Sequence, residues 1–179
     1  MEDVPKLNMN FYIVIESPFG SAGFVYQKNP FKIIRTILPC PDLETLLTSI
    51  GKSNREPPNR YTTAGKVAGL MQNYFHGIPI TPPWELMKME PLTELQVSVL
   101  HKTADIPFGH QKSYKEVASM IGRPKAFRFV GTTLSKNPFP IIVPCHRVIK
   151  NNGSYGKFGG GSEMKKKLIT FETACKALV

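Results

Sequence analysis

The chain has 179 residues, of which 41% are hydrophobic and 20% charged, and its net charge is +10. That length supports one fair-sized domain or two small ones, and the apolar content excludes a disordered chain. No apolar run approaches the ~20 residues of a membrane-spanning helix, and the start Met1-Glu2-Asp3-Val4-Pro5 is acidic where a secretory signal is basic, with the run Phe11 to Ile15 too short for a signal core, so an intracellular protein is expected.

In chain order, Phe11 to Glu16, Ala22 to Gln27 and Phe31 to Leu38 read as three strands of an antiparallel meander, with Pro18-Phe19-Gly20-Ser21 as the first turn. Asp42 is an N-cap for a short helix through Ile50, and Ser53 to Asn59 is a polar loop. Ala64 to Phe75 carries Val67, Leu70, Met71, Tyr74 and Phe75 at helical spacing, and Gly77 stops that helix. Pro79, Pro82, Pro83 and Pro91 then mark a boundary, giving domains of residues 1–88 and 89–179. Residues 1–88 hold nine Lys/Arg against seven Asp/Glu, and residues 89–179 hold fourteen against six. The excess of basic residues in the second half fits either a polyanion partner or a mere solubility charge.

Thr93 with Gln96, and Ser113 with Glu116, form capping boxes that open two helices, the second over Tyr114 to Ile121. Gly122 is placed to end that helix, Pro124 to open the next in its first turn, and Lys125 to Ser135 to continue it. The pair reads as a helix-turn-helix or as an ordinary helical hairpin. Lys125, Arg128 and Lys136 with the small Ala126, Gly131, Thr132, Thr133 and Ser135 suit close approach to a phosphate backbone, and equally a helix packed on a neighbour.

Three cysteines without a C-x-x-C pair argue against a disulfide framework. Ile141 to Val143 reads as a short buried strand ended by Pro144, so that Cys145 sits where a strand meets a turn. A free thiol is mostly protonated at neutral pH. His146 can accept its proton, Arg147 adds positive potential, and the last helix can supply Glu172 to orient His146. A buried cysteine of no chemical role is the commoner fate of a lone Cys. Asn151-Asn152-Gly153 is a hairpin signal, and Gly156, Gly159, Gly160 and Gly161 around Phe158 suit approach to a flat ligand or form a surface loop. Glu163 to Lys176 is a helix whose Lys165-Lys166-Lys167 reads as a solvated stripe.

Pro144-Cys145-His146-Arg147-Val148, preceded by Asn137-Pro138 and followed by the glycine loop, resembles the O6-alkylguanine-DNA alkyltransferase family. Ile106-Pro107-Phe108-Gly109, Ser113-Tyr114 and Arg128-Phe129-Val130-Gly131 fall at matching positions, and the resemblance is strong from about Leu92 to Glu172. It implies irreversible, single-turnover transfer of an alkyl group from a flipped-out guanine in double-stranded DNA to Cys145, and leaves alkylated thymine open as a second substrate. It further implies His146 as base through water, Glu172 as its orienter, and Tyr114 as proton donor to the departing base. Arg128 would fill the hole left by the flipped nucleotide, with Ser113, Tyr114, Lys125, Ala126, Thr132 and Ser135 also against DNA. Asn137 would brace the turn, the backbones of Cys145 and Val148 would read the guanine amino group, and Phe158, Gly159 and Gly160 would line its pocket. Phe158 and Gly159 depart from the Tyr and Ser or Ala of many members, which bears on rate and on bulky alkyl groups. Residues 1–88 offer only Cys40 and His76 as soft ligands, so neither zinc nor any cofactor is expected; Cys40 and Cys175 read as structural.

The expected protein is therefore of α/β (α+β) class. A small N-terminal antiparallel sheet with helices serves a structural role. A mostly helical C-terminal domain carries the helix-turn-helix and the active-site Cys after a short strand. It is expected to be a monomeric, cytoplasmic (nuclear in a eukaryote) suicide methyltransferase. A non-catalytic alkylated-DNA binder and a helix-turn-helix transcription regulator are the alternatives. The first is opposed by the presence of Cys145, and the second leaves the Pro-Cys-His-Arg context unexplained.

Overall fold

The computed structural model describes residues 9–176, so the Met1 to Pro5 reading lies outside the described residues. Strands β1 (Phe11–Ser17), β2 (Gly20–Lys28) and β3 (Phe31–Cys40) form the expected meander, with Ile13 opposite Phe24 and Phe24 opposite Thr36. Their alternating aromatic and β-branched residues suit a sheet with a buried face. A two-residue strand, β4 (Asn54–Arg55), adds in parallel to β1 inside what reads as a loop; a polar pair of residues carries no strand periodicity.

Helix α1 (Leu43–Ile50) is capped by the Asp42 carboxylate on the Thr45 N–H at 2.7 Å. Helix α2 (Thr63–Phe75) buries Val67, Met71 and Tyr74 along one face. Helix α3 (Glu94–Ala104) and helix α4 (Tyr114–Met120) both begin with complete capping boxes, so two otherwise orphaned N–H groups are satisfied at each start. Helix α4 ends in a Schellman motif: Gly122 N–H reaches Ser119 O, Arg123 N–H reaches Ala118 O, and Gly122 has φ +70°.

Helix α5 (Phe127–Ser135) starts two residues later than the sequence suggests. Pro124 does not lie in its first turn. It occupies the second position of a tight turn closed by Ala126 N–H to Arg123 O at 2.8 Å, where proline's fixed φ is equally welcome. Helix α6 (Gly161–Lys176) closes the described chain. Between α3 and α4, β5 (Lys112–Ser113) pairs in parallel with β6 (Val148–Ile149), tying the helix-turn-helix to the segment after Cys145.

One buried apolar cluster draws on the sheet (Ile13, Phe24), on α2 (Met71), on α3 (Leu100), on α4 (Val117) and on α5 (Val130). Residues from both sides of Lys88 therefore share a continuous core. Among the described residues no helix is long and apolar enough to cross a membrane.

Candidate active site

Residues 136–147 hold the thiol, and they do not form the strand expected before it. Pro138, Pro140 and Pro144 lack the N–H groups that a strand would donate. The chain instead winds through turns: Val143 N–H bonds Phe139 O, Cys145 N–H bonds Val143 O and Arg147 N–H bonds Pro144 O. Ile141 sits at φ +73° while buried, a conformation that costs a β-branched residue on the order of 1–3 kcal/mol. The turn is held from the sheet. Thr36 of β3 donates its N–H to Pro138 O at 2.9 Å and its hydroxyl to Pro140 O at 2.6 Å. Cys145 opens a 3-10 turn over Cys145–Arg147, and the short strand β6 follows it rather than preceding it.

Cys145 is 5% exposed. Asn137 donates Nδ2–H to Val143 O at 3.0 Å and to Cys145 Sγ at 3.1 Å, and accepts Phe139 N–H on Oδ1. One side chain thus braces the turn and solvates the sulfur. Burial pushes the Cys145 thiol up; the Asn137 donor and the positive charge of Lys165 pull in the other direction without cancelling it. A proton acceptor is therefore needed to form the thiolate.

His146 and Glu172 are both buried, with Nε2 2.6 Å from Oε1. The Glu172 carboxylate also accepts Arg147 Nε–H on Oε2 at 2.8 Å, Arg147 Nη2–H on Oε1 at 3.0 Å, the Gly109 N–H on Oε2 at 2.9 Å and the Tyr74 hydroxyl on Oε1 at 3.0 Å. Burial alone would raise this carboxyl, but His146 and Arg147 outweigh it and hold it at about 2. The carboxylate is an acceptor only, so Nε2 carries the imidazole proton and Nδ1 carries the lone pair. Nδ1 is buried and has no hydrogen-bond partner among the described residues. Burial pushes the His146 pKa down, which keeps the ring neutral and ready to take a proton.

Two basic residues differ from expectation. Arg147 does not lend its charge to the thiol: it clamps Glu172 and donates Nη1–H to Ile106 O at 2.6 Å. Lys165 is fully buried, not part of a solvated stripe. Its Nζ donates to Val148 O at 2.6 Å and lies 5.7 Å from the Tyr114 ring centre and 5.8 Å from that of Phe158. Burial brings its pKa down to about 8, against an opposing pull from Cys145. The signal was present in the spacing: Lys165, Leu168, Ile169 and Glu172 fall at i, i+3, i+4 and i+7, the buried face of α6. Gly109 also has a role invisible in the sequence. At φ +72°, a Cβ there would lie 2.9 Å from the Lys176 side chain and 3.2 Å from Glu172 O.

The remaining candidates line the other side. Tyr114, Arg128, Thr132 and Ser135 border a groove of about 390 Å³ with Lys150, Gly156 and Lys157. Burial and the neighbouring Cys145 raise the Tyr114 pKa, so its hydroxyl stays protonated. Arg128, Lys125, Thr132 and Ser135 are exposed, and Ala126 is half-buried at the N-cap of α5. Ser113 is buried and spends its hydroxyl on the Glu116 N–H. Val148 is buried with its carbonyl engaged by Lys165, Phe158 is half-buried, and Gly159 and Gly160 are exposed. A Cβ at Gly159 would have no neighbour within 4 Å, whereas at Gly160 it would meet Leu38 of β3 at 2.9 Å. Asn151-Asn152-Gly153 makes a turn, closed by Gly153 N–H to Lys150 O, but among the described residues no strand follows it. Cys40, Cys145 and Cys175 are all free thiols.

Fold and site together define a helix-turn-helix protein built around a buried thiol with an adjacent His–Glu pair. Residues 94–174 match the family model of the 6-O-methylguanine DNA methyltransferase DNA-binding domain. A methylated-DNA--protein-cysteine methyltransferase of Methanosarcina barkeri is 41% identical over 166 residues, 90% of this chain and 96% of that one. A Methanosarcina acetivorans protein of the same name is 45% identical over 83 residues, covering 46% of this chain and 53% of its own length. The crystal structure of Mycobacterium tuberculosis OGT in complex with DNA is 30% identical, with a TM-score of 0.70 over 92% of this chain and 94% of that one. The chain belongs to the methylated-DNA--protein-cysteine methyltransferase family.

Proposed function

We propose that this protein repairs alkylated DNA by direct reversal, moving the alkyl group of an O6-alkylguanine in duplex DNA onto Cys145 Sγ. The observation that carries this reading is the buried Cys145 thiol, hydrogen-bonded by Asn137, beside a His146 whose Nε2 is held by Glu172 and whose Nδ1 is unpartnered.

In the proposed reaction the thiol proton passes through a water to His146 Nδ1. The thiolate forms the S–C bond as the C–O6 bond breaks, and the electron pair leaves with guanine. Tyr114 donates a proton to the departing base, and the imidazolium returns one to the phenolate through solvent. The thioether has no further route back to a thiol, so each molecule acts once. Arg128 inserts into the stack where the nucleotide leaves, since a planar guanidinium replaces part of the lost stacking. Lys125, Ala126, Thr132 and Ser135 contact the backbone, and Ser113 contributes by capping α4 so that Tyr114 faces the groove. Asn137 braces the turn, the backbones of Cys145 and Val148 read the base, and Phe158, Gly159 and Gly160 form its pocket. Residues 89–179 carry these groups and residues 1–88 support them. The protein is assigned to the cytoplasm, or to the nucleus in a eukaryote, as a monomer on double-stranded DNA.

Incubation with duplex DNA containing O6-methylguanine should add the mass of one methyl group to the peptide holding Cys145. The product should not exceed one equivalent, and Cys145→Ala should take none. Transfer by Cys145→Ala, or turnover beyond one equivalent, overturns the reading.

A further inference from the structure

Tyr74 lies on α2, in the half of the chain whose sequence advertises no chemistry, yet it is fully buried against the His–Glu pair. Its hydroxyl donates to Glu172 Oε1 at 3.0 Å, and its oxygen is 3.3 Å from His146 Nε2. The ring is fixed by edge contacts, with centroids 5.2 Å from Phe75 and 6.0 Å from both Phe108 and His146. Glu172 and Cys175 face it from α6, and His146 and Arg147 from the 3-10 turn. Burial and the Glu172 charge both raise the Tyr74 pKa, so the hydroxyl keeps its proton throughout the working range.

Glu172 Oε1 is thus shared by three groups: His146 Nε2–H, Tyr74 O–H and the Arg147 guanidinium. A donor competing for that oxygen sets how strongly the carboxylate holds the imidazole proton. The Tyr74 lone pairs face the same Nε2–H and limit rotation of the ring. We propose that Tyr74 is a positioning residue for alkyl transfer, its hydroxyl tempering the pull of Glu172 on the His146 proton and fixing the plane of the ring that presents Nδ1 as the proton acceptor. The proposal rests on the alkyl-transfer reading above, and it gives residues 1–88 a part in the reaction beyond support.

The test is Tyr74→Phe in the full chain, which keeps the ring and deletes only the hydroxyl. The single-turnover rate on O6-methylguanine duplex should fall about fivefold at neutral pH, as for loss of one buried hydrogen bond. Relieved of a competing donor, Glu172 should hold the imidazolium more firmly. The acid limb of the rate profile should then move to higher pH. Lys165 and Arg147 also act on His146 and are left in place. In protein labelled with 15N-histidine, the His146 Nε2–H resonance should move downfield as its bond to Glu172 strengthens. An unmoved resonance and an unmoved acid limb, with only thermal stability altered, would reduce Tyr74 to a packing residue. If Tyr74→Phe fails to fold, 3-fluorotyrosine incorporation keeps the hydroxyl but makes it a stronger donor; the resonance should then move upfield, and no movement overturns the proposal. Wild-type protein run in parallel separates the two claims: its failure to take one methyl on Cys145 would refute alkyl transfer, while the resonance still judges the Tyr74 contact.

Discussion

Lys165→Met removes a buried cation while keeping an unbranched stem of similar length. Bringing an ammonium from its ordinary 10.5 down to about 8 corresponds to ~3 kcal/mol at ~1.4 kcal/mol for each pH unit between them. That cost is present in full below about pH 8, where the lysine is charged in both folded and unfolded chains, and it vanishes as pH rises toward 10.5. Against it stand the hydrogen bond from the charged Nζ to Val148 O, about 1.5 kcal/mol, and the ring contacts with Tyr114 and Phe158, on the order of 1 kcal/mol. The variant should therefore be more stable at neutral pH by about 0.5 kcal/mol, raising Tm by ~1–2 °C for a chain of this size. The gain should disappear when the comparison is made at pH 10. Alkyl transfer should fall in the same variant, because the positive charge that favours the Cys145 thiolate is gone. A loss of about tenfold is expected, equivalent to ~1.4 kcal/mol less stabilisation of the thiolate. Calorimetry at neutral and alkaline pH, paired with single-turnover rates, reads both quantities. A Tm that drops at neutral pH, or a rate that does not change, would refute the reasoning.

Three further outcomes are expected. Glu172, held at about 2 against an ordinary 4.5, contributes stability that is present above 4.5 and lost as pH falls toward 2, on the order of 3 kcal/mol. The gap in urea midpoint between wild type and Glu172→Gln should accordingly narrow on going from pH 5 to pH 3. Thr36→Val deletes the hydroxyl bond to Pro140 O while leaving the N–H bond to Pro138 O, and should cost about 1 kcal/mol and slow alkyl transfer by loosening the Cys145 turn. Arg128→Ala, at an exposed position, should change stability by no more than about 0.5 kcal/mol. It should weaken reaction with duplex DNA more than reaction with free O6-alkylguanine; equal losses on both would remove it from the flipping step.

Local chemistry made much of the scaffold legible from the residues alone. The meander follows from alternating apolar residues in Phe11 to Cys40, and the starts of α3 and α4 follow from capping boxes four residues long. The Schellman end of α4 follows from Gly122. The helix ends are settled by neighbours in sequence, where hydrogen-bond partners are three to five residues away. The turn of Ile141–Val143 was not legible, because an apolar run of three reads as a strand until the missing N–H groups of its flanking prolines are counted.

What only the tertiary structure decided is the electrostatics around the sulfur. Lys165 looked like surface charge within a run of three lysines, and Arg147 looked like a neighbour of the thiol. Packing buried the first against Val148 O and turned the second onto Glu172. Tyr74 and Cys145 are far apart in the chain, and no local pattern says that α2 delivers a hydroxyl to Glu172 Oε1. The sequence determined which groups are present and which segments carry them. Burial, which removes water and leaves each charge to find a partner wherever the fold brings one, determined what those groups are able to do.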